Sequence, residues 1–217
     1  MALATLPKRL TRPEAAEETR RRVLDAARAV FLRNGFHGTT VDAVAAEAGF
    51  TKGAVYSRFA SKADLFLALY EERQKQRALV FAKIPRRARR EDLQRAIAES
   101  WTRVLQEDRD WLLLLIEFWT YAARDDELRQ RFAKLHEETR RNIARSIEEG
   151  AKAFGDELAL PSEEIALAHM ALGNGFALEV LLDPTRVEAY QRANLALARG
   201  MREQPSAAAK RRKEPRR

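Results

Sequence analysis

The sequence predicts an all-α fold, and three observations support that prediction. Apolar residues recur at the three- and four-residue spacing of amphipathic helices along most of the 217-residue chain. The chain shows no alternating strand pattern of useful length and no two-residue hairpin turn between β-branched runs. Capping residues, prolines and glycines separate the helical segments, so most helices have a recognisable start or end.

The first helix is predicted to begin at Thr11, because Thr11 and Glu14 have capping-box spacing with Pro13 in the first turn. Gly35 is expected to end it, since glycine is the residue that most easily leaves a helix. The face between these ends carries four apolar residues at helical spacing, Val23, Ala27, Val30 and Phe31.

Three more helix starts follow within thirty residues. Thr40 is predicted to be the N-cap of a helix over 41–48, which Gly49 closes. Thr51 begins a short helix, and Ser61 begins a longer one that Pro85 stops. Five further helices are predicted over 91–107, 110–123, 126–153, 162–182 and 185–202.

Charge is distributed unevenly along a chain whose net charge is +8. Residues 1–62 carry 11 basic and 6 acidic side chains, whereas residues 91–202 carry 15 basic and 21 acidic ones. A basic N-terminal part joined to an acidic body suggests that one end meets a polyanion. A basic surface that is simply solvated is the alternative.

The two short helices and the turn over 48–51 form a tight helix-turn-helix. In the second of them Val55 and Phe59 are four residues apart and should point into the core, which leaves the other side to solvent or a partner. That side suits DNA, because it combines a helix N-terminus, small residues and basic groups. The predicted DNA contacts are Thr39, Thr40, Thr51, Lys52, Gly53, Tyr56, Ser57, Arg58 and Lys62.

Each of these residues also has an ordinary structural explanation. Lys52 and Arg58 would be plain surface charges in many proteins, and Tyr56 could be half-buried in the core. The threonines are expected to cap helices whether or not the protein binds DNA.

The stretch GFHGTTVDAVAAEAGFTKGAVYSRFASKADLF resembles the DNA-binding region of TetR-family transcriptional regulators. The resemblance extends over about residues 18–70 and includes the threonine pair, the Ala48-Gly49 turn, Lys52-Gly53 and Tyr56. Ser57-Arg58 departs modestly from the family, whose members often have an aromatic residue or histidine beside the tyrosine. The resemblance implies a homodimer that binds duplex DNA and a C-terminal domain that binds a small-molecule effector.

Five segments are therefore predicted. They are a flexible arm over 1–15, a helix-turn-helix domain over 16–62, a connecting helix over 63–84, an effector-binding and dimerisation domain over 85–204 and a disordered basic tail over 205–217.

A ligand pocket is predicted around the central helix, which is apolar nearly all round. Its candidate residues are Trp101, Trp111, Leu114, Glu117, Phe118, Tyr121 and Phe176. The aromatic residues could instead fill the core. Glu117 could face a ligand, pair with an arginine or reach solvent between helices, since a buried acid needs a partner.

A dimer interface is predicted on the last two helices, which would form a four-helix bundle with a second subunit. The residues assigned to it are Ile165, His169, Leu172, Gly173, Phe176, Val180, Tyr190, Asn194 and Leu197. Packing of the same face on the subunit's own core is the alternative.

Catalysis is not indicated by the sequence. It contains no cysteine, and neither His136 nor His169 has a nearby residue that would suit a metal site or an acid–base pair. We therefore expect no enzyme activity, no metal and no cofactor. The longest apolar run, over 111–116, is far short of a bilayer span, so a cytoplasmic protein without membrane contact is expected.

Two functions remain in competition. The first is a ligand-responsive transcriptional regulator, expected to be a repressor, that an apolar or aromatic effector releases from a palindromic operator. The second is an all-helical carrier of hydrophobic small molecules whose basic end touches a membrane. A membrane-contacting helix should expose large apolar residues among its basic ones, and the segment over 52–58 does not.

Overall fold

The computed structural model describes residues 11–82, 99 and 109–200. These residues form helices, and no β-strand occurs among them. We number the helices in chain order as α1 Arg12–Gly38, α2 Val41–Ala48, α3 Lys52–Tyr56, α4 Lys62–Ala82, α5 Arg109–Ala122, α6 Asp126–Phe154, α7 Ser162–Leu182 and α8 Val187–Gly200. A 3-10 turn, Pro184–Arg186, joins α7 to α8.

The described part of the chain divides into two compact units. The first contains the residues up to Arg73 together with Leu113–Leu128, and the second contains Gln74–Leu112 and the residues from Arg129 onward. Segment 113–128 thus belongs with the N-terminal helices, although the sequence prediction placed it in the C-terminal domain. Residues 1–10, 83–98, 100–108 and 201–217 lie outside the described part, and with them the C-terminal tail and most of the predicted arm.

Helix α1 starts where the capping box predicts. The Thr11 hydroxyl accepts a hydrogen bond from the Glu14 N–H, and the Glu14 carboxylate accepts one from the Thr11 N–H at 2.7 Å. Helical geometry breaks at Gly35, whose φ of 71° and ψ of 176° suit glycine alone, and a further helical stretch continues to Gly38. The predicted end at Gly35 is therefore a kink within α1.

The core of the first unit is rich in phenylalanine. Phe31, Phe36, Phe66 and Phe118 are buried, and the Phe66 and Phe118 rings stack with centroids 4.0 Å apart. Val55 and Phe59 are buried in this unit as the four-residue spacing predicts. Burial of these two side chains fixes which side of α3 faces outward.

The core of the second unit includes a cluster between Leu112, α7 and α8. Ala177, Val180, Val187 and Tyr190 are buried there together with Leu112. The Tyr190 hydroxyl accepts a hydrogen bond of 2.9 Å from the Asn194 amide, which satisfies a buried polar pair. Helix α7 is long and apolar enough to cross a membrane by length and composition alone, but it supplies several of these core residues.

Candidate nucleic-acid interface

Helices α2 and α3 are joined by a turn that depends on Gly49. Its φ of 69° and ψ of 29° lie in the left-handed region that glycine adopts without strain. Arg22 of α1 braces the turn, since its guanidinium donates to the Ala48 carbonyl at 3.2 Å and lies 4.8 Å from the centroid of the Phe50 ring. The sequence analysis did not identify Arg22, because its partners Ala48 and Phe50 lie 26 and 28 residues further along the chain.

The outward side of α3 carries the residues predicted to face a partner. They are all exposed: Thr51, Lys52, Gly53, Tyr56, Ser57 and Arg58. The Tyr56 side chain is 43% exposed, and a Cβ added at Gly53 would meet no atom within 4 Å. The short helix therefore offers an open surface on which small residues alternate with donor groups.

The hydroxyl groups at the helix starts have a dual capacity. Thr40 accepts a hydrogen bond from the Ala43 N–H at 3.1 Å, and Thr51 accepts one from the Ala54 N–H at 3.2 Å. In each case the oxygen is the acceptor, so the hydroxyl proton is still available to donate. Both threonines are exposed, and each can thus cap its helix and donate to a phosphate at the same time.

Lys52 does not extend freely into solvent. Its ammonium lies 2.8 Å from Asp42 Oδ1 and 2.9 Å from Asp42 Oδ2, across the two helices of the motif. The same ammonium is 5.7 Å from the centroid of the Tyr56 ring. The hydrogen bond and charge of Asp42 raise the pKa of Lys52.

Two of the predicted DNA contacts have other roles in the structure. The Thr39 side chain is only 1% exposed, and its hydroxyl donates to the Gly35 carbonyl at 2.7 Å. The Lys62 ammonium donates to the carbonyls of Phe36, His37 and Thr39 at 3.0, 3.2 and 3.3 Å. The end of α1 leaves carbonyl groups without helical partners, and these two side chains satisfy them. Both side chains therefore stabilise the α1 end, and a contact of either with DNA stays a prediction.

Comparison with known families identifies the chain. A family profile described as "Bacterial regulatory proteins, tetR family" matches residues 23–69, which contain α2, α3 and the turn between them. A second profile, "BetI-type transcriptional repressor, C-terminal", matches residues 88–203, which is more than half of the chain. The chain belongs to the TetR family of transcriptional regulators. Proteins of this family bind DNA, typically as dimers, and are not enzymes.

Curated relatives of this TetR-family regulator resemble it over one short stretch. It is 46% identical over 59 residues to the HTH-type transcriptional regulator SrpR of Pseudomonas putida, a match that covers 27% of the chain and 28% of SrpR. It is 40% identical over 58 residues to AcrR of Shigella flexneri, covering 27% of each protein. The chain therefore matches well under half of the length of these relatives.

Solved structures resemble the regulator over most of its length. Salmonella enterica GusR superposes with a TM-score of 0.70 at 23% identity, covering 88% of this chain and 97% of GusR. A TetR transcription regulator from Haloarcula marismortui superposes with a TM-score of 0.70 at 16% identity, covering 86% and 100%. At these identities the comparison establishes the fold.

Glu117 of this TetR-family chain makes a contact that none of the three sequence alternatives anticipated. Its carboxylate accepts hydrogen bonds from the backbone N–H groups of Phe36 and His37, at 2.8 and 3.4 Å. A Cβ added at Gly35 would lie 2.8 Å from Glu117 Oε1, so glycine leaves room for the carboxylate. Glu117 thus joins α5 to the kink near the end of α1, and its predicted contact with a ligand stays a prediction.

The remaining residues of the predicted pocket fall into both units. Leu114 and Phe118 are buried in the first unit, where Phe118 packs on Phe36 and Phe66 as part of the aromatic core. Tyr121 is partly exposed in the same unit, Trp111 is buried in the second, and Phe176 packs on Tyr190. Trp101 lies outside the described residues. A pocket lined by these side chains stays a prediction, and Phe118 is better explained as core.

The residues predicted for the dimer interface lie on the inward side of α7 and α8. Ile165, His169, Gly173, Val180, Tyr190 and Asn194 are buried within the single chain, and Leu172, Phe176 and Leu197 are half-buried. Burial lowers the pKa of His169 to about 4. The buried side chains contact their own subunit, and a dimer interface formed by this set of residues stays a prediction.

Helix α7 has a second apolar side, which is exposed and differs from the buried side described above. Leu167, Leu178 and Leu182 point outward, and Leu182 is 86% exposed. Sequence periodicity did not separate the two sides, because α7 carries apolar residues on both.

Proposed function

We propose that this chain is a ligand-responsive repressor that binds palindromic operator DNA as a homodimer and leaves it when an apolar or aromatic effector binds. The main support for this proposal is the outward side of α3. That side is exposed, the buried side chains of Val55 and Phe59 hold the helix in place, and its residues supply hydrogen-bond donors. Basic side chains outnumber acidic ones across residues 1–62, which favours approach to a polyanion.

DNA recognition by this surface would combine two kinds of contact. The hydroxyls of Thr40 and Thr51, together with the Arg58 guanidinium, suit phosphate oxygens and would set the orientation of the motif. Gly53 allows the backbone of α3 to approach base edges closely. The Tyr56 ring can contact thymine methyl groups in the major groove.

Homodimer formation would double this small contact surface. One three-helix motif makes few contacts, and two of them on half-sites about 34 Å apart add their binding energies. The exposed leucines of α7, Leu167, Leu178 and Leu182, offer an apolar face for the second subunit. Because burying this face against a partner removes it from water, the dimer also explains why α7 is apolar on both sides.

Effector release would act through α5 and α1. Helix α5 begins in the second unit and runs into the first, where Glu117 holds the N–H groups that follow Gly35. A ligand that displaced α5 would strain this contact and shift α1, on which the turn before α2 depends. FadR of Bacillus subtilis, which superposes with a TM-score of 0.62 at 18% identity, was solved in complex with stearoyl-CoA, a ligand that combines a long apolar acyl chain with a charged head group.

A cytoplasmic location follows from this function, since the DNA is there. The membrane-carrier alternative is less favoured, because Tyr56 is the one large apolar side chain exposed on α3.

The test is operator binding by surface variants. An operator is first selected from a random duplex pool, and its affinity is measured by fluorescence anisotropy for Tyr56→Ala and Arg58→Ala. Loss of a base or phosphate contact in each half-site should weaken binding at least tenfold, without change in the thermal unfolding midpoint. Arg145→Ala removes an exposed arginine of α6 and is the matched control. Unchanged affinity in both surface variants would refute the proposed interface.

A further inference from the structure

We infer that Asp42 acts on Lys52 as a specificity-determining positioning residue, neutralising the lysine so that it contacts uncharged base edges in place of phosphates. The inference rests on the proposed function, since it requires that α3 face DNA. It concerns Asp42, an acidic side chain of α2 that contacts Lys52 on the exposed side of α3.

The observation is the geometry between the two helices. The Lys52 ammonium lies within 2.9 Å of both Asp42 oxygens and 5.7 Å from the centroid of the Tyr56 ring. Asp42 stands in the first turn of α2, where the helix dipole favours a carboxylate. Both side chains are more than half exposed, so the pair lies at the surface that would meet DNA.

A paired lysine discriminates between the two kinds of acceptor that DNA presents. A phosphate that approaches Lys52 also approaches Asp42, and repulsion from the carboxylate offsets attraction to the ammonium. The O6 and N7 atoms of guanine carry no net charge and do not experience that repulsion. The Lys52 ammonium has three N–H donors and directs two of them at the Asp42 oxygens, so the third can donate to such an acceptor while Asp42 is still bound.

The consequence concerns non-specific binding. A lysine that neutralises one phosphate releases counterions and steepens the fall of affinity with salt, with a slope of about −0.9 per contact. If Asp42 keeps Lys52 from binding phosphates, Lys52 contributes nothing to the slope of log affinity against log salt concentration measured on random-sequence DNA. Removing the charge of Asp42 should restore that contribution.

The experiment measures affinity for a random-sequence duplex at several NaCl concentrations between about 50 and 200 mM, which gives the slope of log affinity against log salt concentration. Four proteins are compared: wild type, Asp42→Asn, Lys52→Gln and the double variant. We expect wild type and Lys52→Gln to share one slope, Asp42→Asn to be steeper by about 0.9 per bound subunit, and the double variant to return to the wild-type slope. The ratio of operator affinity to random-duplex affinity should fall in Asp42→Asn.

A matched control is available on the same helix. Glu47 pairs with Arg33 at 2.9 Å and lies five residues beyond Asp42, about 140° around α2. Glu47→Gln removes the same charge and also frees a cation, but it should leave the slope unchanged because that pair is on another side of the helix.

The outcomes separate this inference from the proposed function. Lys52→Gln could flatten the salt slope equally in the wild-type protein and in the Asp42→Asn variant. That result would show that Lys52 contacts phosphate regardless of Asp42, and would overturn the inference. A steeper slope in Asp42→Asn that persists in the double variant would overturn it too, because Asp42 would then act through its own charge. If Tyr56→Ala and Arg58→Ala also leave operator binding unchanged, the proposed function fails as well.

Discussion

Replacing Gly35 with alanine should destabilise the first unit through two separable effects. The backbone at Gly35 has φ 71° and ψ 176°, a conformation that costs a residue with a side chain on the order of 1–3 kcal/mol. The new Cβ would also lie 2.8 Å from Glu117 Oε1 and 2.9 Å from Oε2, closer than such atoms normally approach. The carboxylate must move, and its hydrogen bond to the Phe36 N–H is then lost.

Loss of that hydrogen bond leaves a part-buried N–H group without its acceptor, at a cost of about 1–3 kcal/mol. Gly35→Ala should therefore cost about 2–6 kcal/mol in all. Glu117→Ala should cost about 1–3 kcal/mol in the wild type and close to nothing in the Gly35→Ala background, because the alanine has already displaced the carboxylate. The assay is urea unfolding of the four proteins of this double-mutant cycle, at one protein concentration.

Gly38→Ala is the control for a glycine substitution nearby. Gly38 has an ordinary φ, and its added Cβ would meet Asn34 Cβ at 3.5 Å, a normal contact. This variant should match the wild type or exceed it slightly, since alanine favours helix. Strict additivity of Gly35→Ala and Glu117→Ala would refute the reasoning, because it would mean that the two residues do not meet.

Three further predictions follow from other contacts. Lys62→Met should destabilise the protein by about 1–3 kcal/mol in urea unfolding, since three carbonyl oxygens at the α1 end lose their donor; a variant as stable as wild type would contradict this. His169 has a pKa of about 4 when folded and about 6.5 when unfolded, so the unfolded state binds more protons between these values and stability falls as pH falls through that window. Between about pH 7.5 and pH 5, the free energy of unfolding of His169→Gln should fall by about 2 kcal/mol less than that of the wild type. An equal fall in both proteins would contradict the lowered pKa of His169. If the proposed homodimer uses the exposed face of α7, Leu178→Asp should give a monomer in sedimentation velocity, whereas the exposed polar change Arg145→Ala should not.

Local signals predicted the helices well. Thr40 and Gly49 bound α2 in the sequence and in the structure alike, and the predicted span over 162–182 coincides with α7. Caps and periodicity act within a few residues, so they can be read from a single chain. The burial of Val55 and Phe59, four residues apart, was predicted for the same reason.

Tertiary partners were not predictable in the same way. Thr39 and Lys62 were predicted as DNA contacts because they lie beside the motif, and their hydrogen bonds to carbonyls at the folded end of α1 were not predicted. Glu117 binds N–H groups 80 and 81 residues away, a separation at which sequence spacing carries no information. Helix α7 has two apolar sides, and the sequence alone could not show which of them packs against the core and which is exposed.

The central claim is that the outward side of α3 enters the groove of duplex DNA. The chain contains no cysteine, so Ser57→Cys provides a unique attachment point on that side for an iron chelate that cleaves nearby DNA. Bound to the selected operator, this protein should cleave at two places, one within each half-site. Cleavage that is no stronger or more localised than that from an Arg145→Cys protein carrying the same chelate would contradict the claim.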